Sequence, residues 1–169
     1  MQSDNAAVLL DWGDTLMRDF DVPGPMCDWL QVEAMPEARQ ALQLLSPRVA
    51  VYVASGSTAS TPMQVLQALA RVDLAHMCSG VFLAKQWRCS KTSPEFYKHI
   101  AQSLQLLPER MVMLGNDLAQ DVLPARAAGV HGLWVPLTAQ PHDDEPAFTL
   151  LQAAHAALSL LNLNDEQAR

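Results

Sequence analysis

The chain has 169 residues, half of them apolar, which predicts one folded domain over residues 1–169 rather than a disordered segment. A net charge of −7 with no basic run argues against a nucleic-acid or anionic-membrane partner. The three cysteines form no CxxC pair, no signal-peptide pattern opens the chain, and no apolar stretch approaches the ~20 residues of a spanning helix, so we expect a cytoplasmic protein without disulfides or zinc.

Short apolar runs alternate with amphipathic segments along the chain. In chain order they predict a strand at 6–10, a helix at 36–45, a strand at 49–54, a helix from 61–62, a strand at 81–84, a helix from 93–95, a strand at 111–114, a helix at 121–128, a strand at 132–135 and a helix at about 147–162. Apolar strands with little alternation are typical of a sheet buried on both faces. The pattern therefore predicts an α/β fold with a three-layer, doubly wound, five-stranded, mainly parallel (Rossmann-like) sheet.

Polar groups of different chemistry lie at or near the carboxyl ends of these strands. Each has an ordinary explanation by itself, as a turn residue, a helix cap or a surface lysine. In a doubly wound sheet, however, the strand ends converge on one crevice. A carboxylate, a hydroxyl, a cation and further acids in one crevice are the components of a phosphoryl-transfer site. In chain order the groups are Asp11, Ser55 with Gly56, Lys91, and Asn116 with Asp117 and Asp121.

The same residues, in the same order, resemble the motifs of haloacid-dehalogenase-superfamily hydrolases over about residues 6–136. The first motif of that family is Asp-x-Asp-x-Thr-Leu, and the others are a Ser or Thr after an apolar strand, a Lys before a Pro-x-x-Phe/Tyr pattern, and Gly-Asp with a second Asp before an Ala-rich helix. The matching segments here are Asp11-Trp12-Gly13-Asp14-Thr15-Leu16, Ser55, Lys91 with Pro94 and Tyr97, and Gly115-Asn116-Asp117 with Asp121 and Ala128-Gly129.

This resemblance implies a Mg²⁺-dependent phosphohydrolase in which Asp11 attacks phosphorus and forms an aspartyl-phosphate. It further implies that Ser55, Gly56 and Lys91 bind the phosphoryl oxygens. The implied metal ligands are Asp11, the backbone carbonyl of Gly13, and acids of the fourth motif, with Asn116, Asp117 and Asp121 as candidates. Clustered carboxylates need such cations, because like charges raise one another's pKa.

Two positions depart from the family pattern. Gly13 stands where phosphatases of the family carry the Asp that protonates the leaving group, an assistance commonly worth ~10²–10⁴-fold in rate. Asp14 is the candidate substitute, and its competing role is that of a turn residue. Asn116 stands where the fourth motif usually has its first Asp, so either Asn116 or Asp117 pairs with Asp121 at the metal. Asp121 is also a candidate helix cap.

The length of the segment between Asp11 and Ser55 also indicates what kind of substrate the site accepts. The predicted helix at 36–45 leaves only a short flap at about 17–35, so no separate cap domain is expected. An uncapped site favours a large or protein-borne phosphorylated substrate, or closure by a second subunit of a homo-oligomer. The alternative function, motivated by Gly13 and Asn116, is a catalytically degenerate phosphate- or protein-binding module on the same fold.

Overall fold

Five parallel strands form a sheet in the order β3-β2-β1-β4-β5. The computed structural model describes residues 3–138 and 144–163. The strands are β1 (Ser3–Leu10), β2 (Val49–Ser55), β3 (Gly80–Leu83), β4 (Met111–Gly115) and β5 (His131–Trp134). The helices are α1 (Ala38–Leu45), α2 (Pro62–Arg71), α3 (Pro94–Leu104), α4 (Leu123–Ala127) and α5 (Leu150–Leu160). The predicted doubly wound, five-stranded parallel sheet is confirmed.

The central strand β1 is buried on both faces, as its unbroken apolar sequence predicts. Val8, Leu9 and Leu10 are fully buried. Because side chains alternate across a strand, Val8 and Leu10 pack in a core with α1, α2 and α5, whereas Leu9 packs in a second core with α3 and α4. Helices therefore cover both faces of the sheet.

Among the helices of the described ranges, none has the length and apolar character needed to cross a bilayer.

The register of the central strands brings their carboxyl ends to one level. Leu10, the last residue of β1, pairs with Val53 of β2 and with Leu114 of β4. The chain thus leaves three neighbouring strands at the same edge of the sheet, and Asp11 and Ser55 lie at that edge. This alignment is the geometric condition for a crevice that collects residues distant in the sequence.

Two helical segments begin at residues other than those predicted. The start of α1 is Ala38 rather than residue 36, because Glu37 has a left-handed backbone (φ 65°) that a helix does not contain. The Glu37 carboxylate instead accepts the N–H of Leu151 in the first turn of α5, at 2.9 Å. The fourth helical segment begins at Leu118 rather than at 121, with a π turn (Leu118–Val122) that continues into α4. This earlier start removes Asp121 from the capping position.

The chain between β1 and α1 contains a folded loop, which we call the flap loop (residues 17–35). Arg71 of α2 holds it by donating hydrogen bonds to the carbonyl oxygens of Cys27 (3.0 Å), Trp29 (2.5 Å) and Leu30 (3.4 Å). A short 3-10 turn (Met26–Asp28) lies within it. Neither the flap loop nor the segment from β2 to β3, both described in full, contains a helical bundle that could cover the strand ends.

Removing the Arg71 guanidinium should loosen the flap loop without unfolding the sheet. In Arg71→Met the three carbonyls lose their donor, so amide protons of residues 17–35 should exchange faster while those of β1 and β4 keep their protection. Hydrogen exchange followed by mass spectrometry measures this directly. The matched control is Arg39→Met, which removes similar guanidinium contacts to the carbonyls of Val72 and Asp73 outside the loop. Equal amide exchange of the flap loop in the two variants would contradict the conclusion that Arg71 holds this loop.

Candidate active site at the carboxyl edge of the sheet

The strand ends open into a cleft of about 560 Å³, a volume in the usual range for a small-molecule site. All of the residues that the sequence singled out lie along its wall, although they come from four separate parts of the chain. The flap loop contributes Asp19, Val22 and Trp29 to the same wall. The predicted residues that line the cleft are Asp11, Gly13, Asp14, Ser55, Gly56, Lys91, Asn116, Asp117 and Asp121.

Lys91 is the centre of the site. Its Nζ lies 2.5 Å from Oδ1 of Asp11 and 2.5 Å from Oδ1 of Asp121. All three side chains are buried: Lys91 is 5% exposed, Asp11 9% and Asp121 1%. Lys91 is therefore no surface lysine, and the position before α3 is explained by the two carboxylates that it joins across the crevice.

The electrostatics of this cluster depend on the ammonium group. Burial raises the pKa of the Asp121 carboxyl to about 6, and the negative charge of Asp11 adds to that rise, while Lys91 opposes both. For Lys91, burial acts to lower the pKa, but the charges and hydrogen bonds of Asp11 and Asp121 outweigh it and the net shift is upward. The ammonium thus keeps its proton and holds two buried carboxylates close together.

Asp117 and Asp121 have different roles, which the sequence left open. The Asp117 Oδ1 accepts the N–H groups of Ala119 (2.9 Å) and Gln120 (3.0 Å), so Asp117 caps the helical segment. The Asp121 carboxylate points back into the crevice, with Oδ2 accepting the Asp117 N–H at 3.0 Å and Oδ1 facing Lys91. The expectation that Asp121 caps this helix is wrong, because the helix starts one turn earlier than predicted.

Two glycines make room for the buried side chains, and sequence reasoning gave this function to neither. A Cβ on Gly115 would overlap with the Asp121 side chain. A Cβ on Gly56 would lie 3.3 Å from the Cβ of Lys91, closer than ordinary van der Waals contact. Their positions in the sequence could have indicated this function. Gly56 immediately follows β2 and Gly115 is the last residue of β4, both at the edge of the sheet where the site lies.

Tyr97 fixes the helical segment that presents Asp121. Its hydroxyl donates a hydrogen bond to the carbonyl oxygen of Gln120 at 2.9 Å. Burial raises the pKa of the Tyr97 hydroxyl, and the negative charges of Asp121, Asp11 and Asp117 act in the same direction. The hydroxyl therefore keeps the proton that this hydrogen bond needs.

Thr15 lies between the first and fourth motifs. Its buried hydroxyl is 3.3 Å from Oδ2 of Asp11 and 3.4 Å from Oδ1 of Asn116. The indole N–H of Trp134 donates to the Asn116 carbonyl at 2.9 Å and fixes the backbone there. A carboxylate oxygen and an amide oxygen therefore meet at one hydroxyl, just beyond the carboxyl ends of the neighbouring strands β1 and β4.

The oxygen atoms at this edge fit a hard cation. Asp11 and Asp121 offer carboxylates, Asn116 an amide oxygen and Gly13 a backbone carbonyl, which are the ligand types that Mg²⁺ prefers. Within the described ranges no group of three or more His, Cys, Asp or Glu side chains is arranged to hold a metal by itself. A Mg²⁺ ion held by few carboxylates together with neutral oxygens and waters is consistent with such a set.

Ser55 and Asp14 both line the cleft, and each side chain accepts a backbone N–H. Ser55 is buried, and its Oγ accepts the N–H of Ser57 at 3.1 Å, which leaves its own proton for a group in the cleft. Asp14 has a left-handed backbone (φ 58°), and its Oδ1 accepts the N–H of Asp19 at 3.0 Å. Asp14 is therefore a turn residue, which is the competing role predicted for it from the sequence.

Removing the ammonium should expose the cost of the buried carboxylates. In Lys91→Met, Asp11 and Asp121 lose their partner, which predicts a loss of about 3–5 kcal/mol in the free energy of unfolding. Saturating Mg²⁺ should restore part of that loss, because it supplies positive charge to the same oxygens. Urea unfolding with and without Mg²⁺ measures both effects. The control is Lys85→Met, an exposed lysine that donates to the Thr58 carbonyl. The account would be contradicted if Lys91→Met lost no more free energy of unfolding than Lys85→Met and if Mg²⁺ did not change that loss.

Comparisons with known proteins bear on the family through a sequence-family model and on the fold through solved structures. The model of haloacid dehalogenase-like hydrolases matches residues 24–129. An uncharacterized Listeria monocytogenes protein has a similar structure, with a TM-score of 0.78, 19% identity, and coverage of 93% of this chain and 99% of that one. A haloacid dehalogenase-type phosphatase from Thermococcus onnurineus gives a TM-score of 0.70 and 15% identity, covering 94% of this chain and 98% of that one.

A curated relative, the phosphoserine phosphatase of Thermus thermophilus, is 31% identical over 77 residues. That stretch is 46% of this chain but only 31% of the relative, so the chain spans about a third of the length of that protein. The family model, in contrast, covers more than half of the chain and includes Ser55, Lys91 and Asp121. The chain therefore belongs to the haloacid dehalogenase-like hydrolases.

Proposed function

We propose that this protein is a Mg²⁺-dependent phosphohydrolase that acts on phosphate monoesters through an aspartyl-phosphate on Asp11. The observation that carries the proposal is the buried Lys91 ammonium, 2.5 Å from both Asp11 and Asp121 at the base of an open cleft. The names of two similar proteins, a phosphoserine phosphatase and a phosphatase of the same fold, support the same reaction class.

In the first step an oxygen of Asp11 forms a bond to phosphorus while the bond from phosphorus to the ester oxygen breaks. The released alkoxide oxygen takes up a proton. Lys91 holds Oδ1 of Asp11 at 2.5 Å, which fixes the carboxylate, and the Thr15 hydroxyl lies 3.3 Å from Oδ2. Lys91 and the Ser55 hydroxyl bind the phosphoryl oxygens and offset their charge.

In the second step a water oxygen bonds to phosphorus, the bond from phosphorus to Asp11 breaks, and inorganic phosphate leaves with Asp11 restored as a carboxylate. Asp11, Asp121, Asn116 and the Gly13 carbonyl would hold Mg²⁺. When bound, the ion supplies positive charge that offsets the phosphoryl charge. The water must give up a proton in this step, as the leaving group must gain one in the first.

Gly13 has no side chain to carry that proton, so the rate depends on another group. Asp14 is the candidate that the sequence offers, although its carboxylate accepts the Asp19 N–H. Without a working acid and base, turnover should be slower by ~10²–10⁴-fold. The short flap loop leaves the cleft open, which favours a large or protein-borne phosphorylated substrate in the cytoplasm, or closure by a second copy of the chain.

The second candidate function is a phosphate- or protein-binding module that has lost turnover. Gly13 and Asn116, each neutral where the family pattern has an acid, favour it. Under this alternative, Mg²⁺ and fluoroberyllate bind tightly at Asp11, but no phosphate ester is hydrolysed. The two functions therefore differ in turnover and not in the ability of Asp11 to bind a phosphoryl mimic.

A panel of phosphate monoesters tests the proposed function. Wild-type protein with Mg²⁺ should release phosphate slowly, and Asp11→Asn should abolish release because the amide cannot act as the nucleophile. Asp14→Asn tests Asp14 as the acid, since that role predicts a loss of ~10²-fold or more and an unchanged rate would exclude it. Wild-type release no faster than that of Asp11→Asn, with fluoroberyllate still bound, would replace the proposal with the binding-module alternative.

Metal binding tests the division of roles between the two acids of the fourth motif. Asp121→Asn should weaken Mg²⁺ binding at least tenfold in titration calorimetry, because it removes a carboxylate from the proposed metal set. Asp117→Asn should change Mg²⁺ affinity little and act mainly on thermal stability through the helix cap. The reverse order of affinities would show that Asp117 and not Asp121 is the ligand.

A further inference from the structure

We propose that Asp19, in the flap loop, supplies the acid and base function that Gly13 lacks. The proposal rests on the phosphohydrolase activity proposed above and adds a catalytic residue to it. Asp19 matches no motif, and its position in the sequence, six residues after Gly13, gives no sign of this role. The flap loop brings Asp19 back to the wall of the cleft.

The carboxylate of Asp19 lies over Gly13. A Cβ on Gly13 would be 3.4 Å from Oδ2 of Asp19, 3.6 Å from its Cβ and 3.9 Å from its Cγ. These are ordinary contact distances, so the Asp19 side chain lies directly beside the position that a side chain at residue 13 would occupy. Asp19 also lines the cleft together with Asp11.

The chain holds Asp19 in this place through its neighbours. Gly13 and Met17 form a parallel β-bridge, and Met17 forms an antiparallel bridge with Ala34, which fixes the start of the flap loop. The Asp14 carboxylate accepts the Asp19 N–H at 3.0 Å. Asp14 is therefore a positioning residue in this scheme, since its carboxylate holds the backbone of Asp19.

One oxygen of Asp19 remains for chemistry. Its Oδ1 accepts the N–H of Asp21 at 2.8 Å, which orients the carboxyl group. Oδ2, the atom closest to Gly13, accepts no hydrogen bond from the residues that the structure describes. Asp19 as a whole is exposed. Of the other acids that line the cleft, Asp11 and Asp121 pair with Lys91, Asp117 caps a helix and Asp14 accepts the Asp19 N–H. Asp21 also lines the cleft, but the atoms nearest to a Cβ on Gly13 belong to Asp19.

Asp19 can both donate the proton that the first step needs and accept the proton that the second step releases. Protonated Asp19 gives its proton to the ester oxygen as that oxygen leaves phosphorus and Asp11 becomes phosphorylated. The resulting Asp19 carboxylate takes a proton from the water that attacks the aspartyl-phosphate. Phosphate and the Asp11 carboxylate are released, and Asp19 is protonated for the next cycle.

The test uses two substrates and separates chemistry from folding. In Asp19→Asn, the steady-state rate on an alkyl phosphate should fall ~10²-fold or more. With dinitrophenyl phosphate, whose leaving group needs no proton, a stoichiometric burst should form at nearly the wild-type rate and be followed by slow turnover. Asp28→Asn is the matched control, since Asp28 is an exposed acid of the same loop that does not line the cleft.

A rescue variant completes the test. Gly13 has no positive φ, and a Cβ there meets Asp19 only at contact distance, so residue 13 can carry a side chain. Gly13→Asp combined with Asp19→Asn should recover at least tenfold in rate on the alkyl phosphate, whereas Gly13→Ala combined with Asp19→Asn should not. An Asp11-dependent wild-type rate that Asp19→Asn leaves unchanged, or lowers equally in burst and turnover, overturns this inference alone. No Asp11-dependent turnover in the wild type overturns the proposed function as well.

Discussion

The site depends on one interaction, the buried contact of the Lys91 ammonium with two carboxylates. Asp11 follows β1 and Asp121 lies in the π turn before α4, and their carboxylates would repel each other in a region of low dielectric. Lys91 lies 2.5 Å from an oxygen of each, and the net rise of its pKa shows that their attraction exceeds the cost of its burial. Any description of catalysis, metal binding or stability in this protein starts from that arrangement.

The sheet makes this contact available. Because Leu10 pairs with both Val53 and Leu114, the strands β1, β2 and β4 end together, and residues about a hundred positions apart share one edge. The glycines complete the geometry, since a side chain on Gly115 would occupy the space of Asp121. The fold thus determines where the residues meet, and local backbone choices determine which atoms face the crevice.

Much of this arrangement could be predicted from the sequence, for a physical reason. Strands buried on both faces have unbroken apolar sequences, and the residue that follows each strand is then easy to identify. The order of Asp11, Ser55 and Lys91 therefore indicated the crevice before its geometry was known. The roles of residues that depend on tertiary contacts were harder to predict from the sequence. The sequence left open whether Asn116 or Asp117 pairs with Asp121, and the capping role of Asp117 depends on one turn of π helix. Nothing in the pattern around Asp19 indicated that its carboxylate lies over Gly13.

The claim on which the account depends most is that Asp11 becomes phosphorylated. The direct measurement is an acid quench during turnover of dinitrophenyl phosphate with Mg²⁺, followed by mass spectrometry of the peptide that contains Asp11. The account predicts one added phosphoryl group on that peptide in the wild type, none in Asp11→Asn, and more in Asp19→Asn, in which breakdown is slowed. Phosphate release without a phosphorylated peptide in any of the three would contradict it.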